Sequence, residues 1–355
     1  PPYFGLRSYA IPPVVWGGEE SCEHAFEMET VATEVGRGNW AQGTNGRGEE
    51  QAGGLAEKRE PIRGSVERGT CSRCGAWLGH LGLEPSVELY VDHVVEVFRE
   101  VWRVLKPDAT AWINLGDCFN AGTTAVSKPG NGAVGGWNNS VRAGRRRVDA
   151  PGLKPKDLVG VPWRVAFALQ ADGWYLRSDI VWAKTAPMPE SVTDRPTRAH
   201  EYLFLLAKQE RYFYDANAIK EPAVSDHRSG NGFKRQARLT YRDADGARGN
   251  DEQWSDIGGK RNRRSWWLIG PEPFPGAHFA TMPTKLVEPC ILAGSRAGDV
   301  VLDPFLGSGT VGRVAESLGR RWVGLDLGYH ELSRERVKVT MGLPFPSRNL
   351  AEVAL

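Results

Sequence analysis

The sequence has no long apolar run, few cysteines and almost no excess of charge of either sign. Without a stretch of about 18 or more apolar residues, it contains no predicted membrane span. The 5 cysteines are an odd number and no signal peptide opens the chain, so we expect a reducing cytoplasm rather than a disulfide framework. The net charge is +2, from 45 basic and 43 acidic residues, so any attraction to nucleic acid must come from local patches.

The chain is nevertheless long enough for one large α/β domain with an inserted module. It has 355 residues, of which 41% are hydrophobic, as in ordinary globular proteins. It opens at Pro1 with no initiator methionine, so we expect the sequence to be a fragment.

Hydrophobic periodicity predicts alternating helices and strands. The predicted helices are 87–105, 158–171, 310–318 and 329–337, and the predicted strands are 111–115, 178–182, 201–206, 299–302 and 321–325. This alternation indicates a doubly wound α/β fold with a mainly parallel sheet. Residues 19–70, 119–157 and 216–276 lose the periodicity, and we expect an irregular insertion, a mobile loop and a basic loop there.

A glycine-rich turn follows the strand at 299–302 and opens a helix. Gly307, Gly309 and Gly312 have the spacing of a dinucleotide site, and Asp326 ends the next strand, where a carboxylate can accept ribose hydroxyls. A dinucleotide or another adenosine-containing cofactor would both fit. Too few residues follow Asp326 to complete a dinucleotide-binding sheet, however, which disfavours a nicotinamide dehydrogenase.

The residues of this turn carry a family resemblance. The run from Asp303-Pro304-Phe305 through Gly307-Ser308-Gly309-Thr310 resembles motif I of the amino-methylating DNA methyltransferases, and 278–286 is similar to the element that lines the cofactor pocket there. The resemblance implies a Rossmann-like methyltransferase fold that binds S-adenosylmethionine. The implied cofactor residues are His278, Ala280, Pro283, Asp303, Phe305, Gly307, Ser308, Gly309, Thr310 and Asp326.

The beginning of the chain resembles the catalytic motif of the same family. Pro1, Pro2 and Tyr3 match all but the first position of a tetrapeptide in which Ser, Asp or Asn precedes Pro-Pro-Tyr. In that family the tetrapeptide accepts the amino hydrogens of a flipped-out base, and its aromatic ring stacks on that base. Taken alone, Pro-Pro-Tyr is also common as a surface turn or a polyproline ligand.

Other residues of the catalytic half are predicted to line the substrate pocket. The segments 182–184 and 188–201 resemble later catalytic-region motifs, and Asp117 follows a buried strand. The predicted pocket residues are Lys184, Arg195, His200 and Asp117. The alternative for Arg195 is a purely structural pair with Asp194.

The order of the motifs, catalytic before cofactor, resembles the β group of this family and its phage-type DNA methylases. It implies methyl transfer to an exocyclic amino nitrogen in double-stranded DNA, with cytosine N4 slightly ahead of adenine N6. A methyltransferase of RNA or protein amides, or an inactive DNA-binding fragment, are the alternatives. A partner restriction endonuclease is an open expectation, and the sequence indicates no oligomeric state.

Four residues have the spacing of a zinc site. Cys71-x-x-Cys74 is a knuckle pair, and Cys22-x-His24 can complete four ligands, although a redox pair or idle thiols are alternatives. We therefore expect a structural Zn²⁺ in the insertion. Cys118 and Cys290 are predicted to be buried thiols.

The segment 216–276 mixes arginine and lysine with tryptophan, tyrosine and phenylalanine. Such a mixture suits contacts to phosphates and base edges, although a solvated basic loop is the alternative. The predicted divisions are the truncated catalytic loop 1–18, the insertion 19–84, the catalytic half 85–215, the target-recognition region 216–276, the cofactor half 277–340 and the tail 341–355.

Overall fold

The computed structural model describes residues 1–5, 12–34, 63–120, 150–222, 260–272 and 282–328. The predicted helix 329–337, the centre of the 119–157 loop, most of the 216–276 region, His278 and Ala280 lie outside these residues. None of the helices in the described ranges is long and apolar enough to cross a membrane.

The described part of the insertion, together with residues 14–16 before it, forms an antiparallel sheet of four strands. The strands are β1 (Val14–Trp16), β2 (Phe26–Glu34), β3 (Arg63–Cys71) and β4 (Trp77–Gly79), in the order β1-β4-β3-β2. β2 and β3 pair along their whole length, from Phe26 opposite Cys71 to Glu34 opposite Arg63. The prediction of an irregular insertion is therefore wrong for these residues. Apolar and acidic residues alternate at the start of β2, a period-2 signal in an otherwise charged segment.

The longest helix, α1 (Val87–Val104), is close to its predicted bounds. Ser86 caps it by accepting a hydrogen bond from the Leu89 amide at 3.2 Å, and it ends before Pro107. Its apolar stripe, with Tyr90 and Val94 fully buried, packs on α2 (Val161–Ala171). This helix pair forms the largest part of the core under the catalytic half.

The sheet of the catalytic half is mixed rather than mainly parallel. Its strands are β5 (Thr110–Leu115), β6 (Tyr175–Ala183), β7 (His200–Ala207) and β10 (Trp266–Leu268), in the order β10-β6-β7-β5. β7 runs antiparallel to both neighbours, and only the β10–β6 pair is parallel. The prediction of a mainly parallel sheet is wrong here because 184–199 joins β6 to β7 without a crossover helix, which leaves antiparallel pairing.

The cofactor half follows the predicted strand-helix-strand order. β11 (Val300–Asp303) and β12 (Arg321–Gly324) pair in parallel through α4 (Thr310–Ser317). Gly312 on α4 faces the Trp322 ring so closely that a Cβ there would lie 2.8 Å from it. α3 (Thr284–Gly294) precedes β11 and was not predicted, because Pro289 interrupts its helical pattern.

The two halves pack against each other. Leu302 and Phe305 of the cofactor half contact the core beneath the catalytic half, and Lys106 pairs with Asp299 at 2.8 Å. A short antiparallel pair, β8 (Glu221–Pro222) with β9 (Lys260–Arg261), lies within the region predicted to recognise the target. The fold thus brings the first and last parts of the described chain together.

Candidate active site

The catalytic loop at residues 1–5 is held by backbone contacts from two directions. The Tyr90 hydroxyl of α1 donates to the Pro2 carbonyl at 2.8 Å, and the Gly5 amide donates to the Gly82 carbonyl at 2.8 Å. Phe4 is buried, with its ring 5.5 Å from the Tyr90 ring. These contacts fix the catalytic loop against α1 and against the segment around Gly82 that precedes α1.

The ring of Tyr3 is positioned by its hydroxyl and by a glycine. The hydroxyl lies 2.7 Å from Asn114 Oδ1 and 2.5 Å from Glu201 Oε2, and Lys184 pairs with the same carboxylate. A Cβ at Gly116 would lie 2.6 Å from the Tyr3 ring, so only glycine leaves room for that ring. The predicted catalytic Tyr3 and pocket residue Lys184 therefore meet through Glu201.

Asn114 and Glu201 were not predicted as site residues. Asn114 also donates to the Tyr202 carbonyl at 3.0 Å, and it is a buried amide at the end of an apolar strand. A polar residue inside an apolar strand was the sequence signal that could have marked Asn114 as a site residue. Glu201 lies in a stretch with family resemblance, but only the fold shows that it faces Tyr3.

The cofactor turn is held by hydrogen bonds from its backbone amides to two carboxylates of the same strand-helix-strand unit. The Gly307 amide donates to Asp326 Oδ2 at 2.7 Å, and the Phe305 amide donates to Asp303 Oδ1 at 3.0 Å. Gly307 and Gly309 have φ angles of 51° and 77°, a backbone conformation that favours glycine. Ser308 and Thr310 are buried at the start of α4. The glycine turn thus leads into the N-terminus of α4, next to the carboxylates of Asp303 and Asp326.

These carboxylates differ in their surroundings. Burial raises the pKa of Asp303, against the hydrogen bond from the Phe305 amide. Asp326 lies two residues after the end of β12, and its Oδ1 also accepts from the Gly328 amide at 2.8 Å. Two backbone amides therefore fix the orientation of the Asp326 carboxylate.

The two motifs approach each other although 300 positions separate them in the chain. The backbone nitrogen of Pro1 and the Asp303 carboxylate are close enough to interact electrostatically. Phe305 packs against the same core that contains Phe4. Residues of the predicted catalytic motif and of the predicted cofactor motif therefore lie near each other.

The Asp117 carboxylate is held by backbone amides and lies near an arginine. Its Oδ1 accepts from the amides of Gly160 and Val161 at 2.9 and 3.0 Å and so caps α2. Its Oδ2 lies 3.7 Å from Arg198. With its side chain buried, Asp117 positions α2 in the described structure, and a contact with substrate remains a prediction.

Arg195 and His200 lie around the β6–β7 connection. Arg195 pairs with Glu190 at 2.6 Å and stacks over Phe119 with 3.8 Å between its guanidinium carbon and the ring centre, not with Asp194. Asp194 instead pairs with Lys156 at 2.6 Å. Burial and the nearby Arg198 lower the pKa of His200, which favours its neutral form. Their contacts with DNA remain predictions.

Of the three cofactor residues predicted before the glycine turn, only Pro283 is among the described residues, and it precedes the first turn of α3. Cys290 is buried as predicted, whereas Cys118 is only partly buried. Burial raises the pKa of Cys118 to about 12. Neither thiol is ready to act as a nucleophile.

The four residues of the predicted metal site converge. The ligand atoms of Cys22, His24, Cys71 and Cys74 all lie within 4.8 Å of one another. Burial disfavours the thiolate of Cys71, but hydrogen bonds from neighbouring amides and His24 lower its pKa to about 5. The side chains predicted to bind zinc are therefore adjacent.

The glycine turn with two carboxylates and the nearby Pro-Pro-Tyr loop are the two motifs whose resemblance implies a methyltransferase that uses S-adenosylmethionine on an amino group. The family model N6_N4_Mtase, described as DNA methylase, matches residues 1–335. The chain therefore belongs to this DNA methylase family, and the resemblance read from the sequence is confirmed. It is an enzyme that methylates exocyclic amino groups of DNA bases with S-adenosylmethionine.

Named relatives of the chain are type II methyltransferases. The chain is 47% identical over 248 residues to the type II methyltransferase M.Cfr9I of Citrobacter freundii, with 70% of each chain covered. It is 45% identical over 262 residues to the type II methyltransferase M.SmaI of Serratia marcescens, with 73% of this chain and 77% of that one covered.

Two solved structures are also similar to the chain. The PvuII DNA methyltransferase, described as cytosine-N4-specific, has a TM-score of 0.44 and 16% identity, with 72% of this chain and 76% of that one covered. M1.HpyAVI has a TM-score of 0.41 and 15% identity, with 73% and 85% covered.

Proposed function

We propose that this DNA methylase takes a base out of duplex DNA and methylates N4 of cytosine in preference to N6 of adenine. The observation that supports the proposal is the electrostatic interaction of the Pro1 nitrogen with the Asp303 carboxylate, which brings the beginning of the Pro1–Tyr3 loop near the glycine turn. An enzyme that acts on a base cannot reach its target atom inside the duplex, so the target nucleotide would leave the base stack.

The cofactor residues fit S-adenosylmethionine. The Gly307–Thr310 turn offers backbone amides at a helix N-terminus, and Asp326 offers oriented carboxylate oxygens to a ribose. The bound cofactor supplies an electrophilic methyl group. Asp303, Phe305 and Pro283 would complete the pocket, and His278 and Ala280, which lie outside the described residues, stay predicted cofactor contacts.

The catalytic loop orients a poor nucleophile. The lone pair of an aromatic amine is delocalised into the ring, so acceptors for its two hydrogens favour the geometry and charge that form during attack. The carbonyl of Pro1 would be one acceptor, and the family resemblance supplies the other from the preceding residue. Tyr3 would stack on the base, with its ring fixed by Asn114, Glu201 and Gly116.

Other residues would contact the DNA around the flipped base. Lys184, Arg195 and His200 lie at the two ends of the β6–β7 connection, and the 216–276 region would read the sequence. Arg198, beside Asp117, adds positive charge at the same place. Neutral His200 would offer one donor and one acceptor to the DNA.

The names of the relatives support a place in a type II restriction–modification system. A partner endonuclease would cut the same sequence when it is unmethylated, and this enzyme would protect it. The proposal places the reaction in the cytoplasm, where DNA and S-adenosylmethionine are both available.

The test is nucleoside analysis after methylation. The protein, expressed from its complete gene, is incubated with methyl-labelled S-adenosylmethionine and unmethylated plasmid DNA, and the digested nucleosides are analysed by mass spectrometry. We expect labelled N4-methylcytosine. N6-methyladenine would overturn the choice of base, and labelling of RNA or protein alone, with cofactor bound, would overturn DNA as the substrate.

A further inference from the structure

Three thiols and one imidazole meet outside the active site, at the base of the antiparallel sheet. Cys22 and His24 precede β2, Cys71 ends β3, and Cys74 lies in the turn before β4. Their ligand atoms lie within 4.8 Å of one another. The methylation reaction uses none of them, so the cluster needs its own explanation.

The distances match a tetrahedral metal site and not a disulfide. Cys22 Sγ lies 4.0 Å from Cys71 Sγ, about twice the length of an S–S bond. Cys74 Sγ lies 3.4 Å from His24 Nδ1. In tetrahedral zinc geometry two sulfurs are about 3.8 Å apart, and a sulfur and a nitrogen about 3.5 Å apart.

The backbone around the cluster has the form of a metal-binding knuckle. The Gly75 amide donates to the Cys71 carbonyl at 2.9 Å, and the Ala25 amide donates to Cys71 Sγ at 3.4 Å. Gly75 has a φ of 75°, which permits the tight turn after Cys74. A Cβ at Gly18 would lie 2.9 Å from Cys74 Sγ, so the preceding loop closes over the site. Amide hydrogen bonds of this kind orient a ligating sulfur.

We propose that Cys22, His24, Cys71 and Cys74 bind one Zn²⁺ in a closed structural site. Three sulfurs and one nitrogen fill a tetrahedral coordination sphere and leave no position for water or substrate. The ion thus joins the two ends of the β2–β3 hairpin, whose sheet has little apolar core of its own. Its contribution is to folding and positioning rather than to chemistry.

The sheet held by this ion contacts α1 through aromatic rings. Trp16 of β1 and Trp77 of β4 pair with each other in the sheet, and both rings stack near His93 of α1, at 4.7 and 5.3 Å. His93 Nδ1 lies 3.1 Å from Glu84 Oε1, and both side chains are buried. The zinc-bound sheet therefore fixes the side of α1 that faces the entry to the catalytic loop.

From Glu84 the contacts continue to the catalytic loop. Glu84 Oε2 accepts from the Gly82 amide at 2.8 Å, and the Gly82 carbonyl accepts from the Gly5 amide at 2.8 Å. Gly82 is so close to Tyr3 that a Cβ there would lie 2.9 Å from its carbonyl oxygen. Zinc would thus position Tyr3 from a distance, a consequence that rests on the proposed function.

The site itself is tested by metal content, independently of activity. The protein is purified without chelators, and zinc is measured by mass spectrometry of the metal. We expect one zinc per chain in the wild type, and less than half of that in Cys22→Ser and Cys74→Ser. Cys118→Ser and Cys290→Ser are matched controls, because these thiols lie outside the cluster, and they should keep one zinc per chain.

Cobalt substitution tests the ligand set even if the serine variants fold poorly. Wild-type protein refolded with Co²⁺ should show the intense visible bands of a tetrahedral ion and the near-ultraviolet band of thiolate-to-cobalt charge transfer. Absence of zinc together with absence of these bands would overturn the proposal. Detection of a Cys22–Cys71 disulfide in the freshly purified protein would also overturn it.

The positioning role has a separate readout. Removal of zinc should lower the methylation rate by at least about 10-fold through a displaced catalytic loop, while the cofactor dissociation constant changes less than about two-fold. Equal losses in both quantities would contradict the positioning role. A wild type that holds zinc but methylates no DNA would instead contradict the proposed function and leave the metal site established.

Discussion

The cofactor turn and the catalytic loop lie near each other but are built in different ways. In the cofactor turn, the Leu325 amide donates to the Asp303 carbonyl at 2.9 Å and the Gly307 amide to Asp326 at 2.7 Å, within one strand-helix-strand unit. In the catalytic loop, Tyr3 reaches Glu201 across 198 positions and Pro2 reaches Tyr90 across 88. The cofactor turn is held by hydrogen bonds among residues of its own strand-helix-strand unit. The catalytic loop is held by residues of the catalytic half that are distant in the sequence.

This difference determines whether a substitution impairs cofactor binding or methyl transfer. A substitution in the self-contained turn should impair cofactor binding and leave the catalytic loop in place. A substitution among the distant partners of Tyr3 should impair methyl transfer and leave cofactor binding intact. Separate measurements of cofactor affinity and of methylation rate therefore test the comparison directly.

The largest effect is expected for Tyr3→Ala. Loss of the stacking ring should lower the methylation rate roughly 100-fold, since stacking of a base on an aromatic side chain contributes about 1–3 kcal/mol. Single-turnover methylation and calorimetric titration with the cofactor measure the two quantities. Tyr175→Ala is the control, because Tyr175 begins β6 at the end far from Glu201, and it should be near wild type. An equal loss of cofactor affinity in Tyr3→Ala would break the comparison.

The next effect is expected for Asp326→Ala. Removal of the carboxylate should weaken cofactor binding by roughly 10- to 100-fold, because hydrogen bonds to charged groups contribute about 1.5–3 kcal/mol. At saturating cofactor the methylation rate should largely recover. Asp326→Asn should lose less, since its amide oxygen can still accept the bond from Gly307. A rate that stays low at saturating cofactor would show that the turn also orders the catalytic loop.

A smaller effect is expected for Tyr90→Phe. This change removes the hydroxyl that donates to the Pro2 carbonyl and keeps the packing against Phe4. The cost should be about 1 kcal/mol, or roughly 5-fold in methylation rate, with unchanged cofactor affinity. Single-turnover rates beside a Tyr175→Phe control measure it. A wild-type rate would mean that this bond does not position the loop.

The smallest effect concerns pH. Burial lowers the pKa of His200, so below about pH 6.5 the unfolded chain takes up a proton before the folded chain does. Stability should therefore fall as the pH drops from that value through the lowered pKa. His200→Gln should make the stability curve flatter in this window, as measured by urea unfolding at a series of pH values. Parallel curves for the two proteins would contradict the assigned direction.

Local features of the fold could be predicted from the sequence. The periodicity predicted a helix at 87–105, and the structure has Val87–Val104. The strand, glycine turn and helix of the cofactor half also matched, and the four predicted zinc ligands lie together. Each of these depends on residues whose spacing in the chain fixes their geometry.

Features that depend on long-range pairing could not be predicted. Antiparallel pairing of β6 with β7 follows from the path of the intervening chain, which no local pattern encodes. The charged β2–β3 hairpin lacks the apolar runs that mark most strands. Asn114 and Glu201 acquire their place beside Tyr3 only when β5 and β7 pair.

The central claim is that the Pro1–Tyr3 loop and the cofactor turn form one site around a flipped base. A crystal structure of the protein, expressed from its complete gene, with duplex DNA and an unreactive analogue of S-adenosylmethionine tests it most directly. The account predicts an extrahelical base stacked on Tyr3, its amino group facing the Pro1 carbonyl, and the analogue held at Asp303 and Asp326. A base left in the duplex, or bound away from Tyr3 while the analogue occupies the turn, would contradict it.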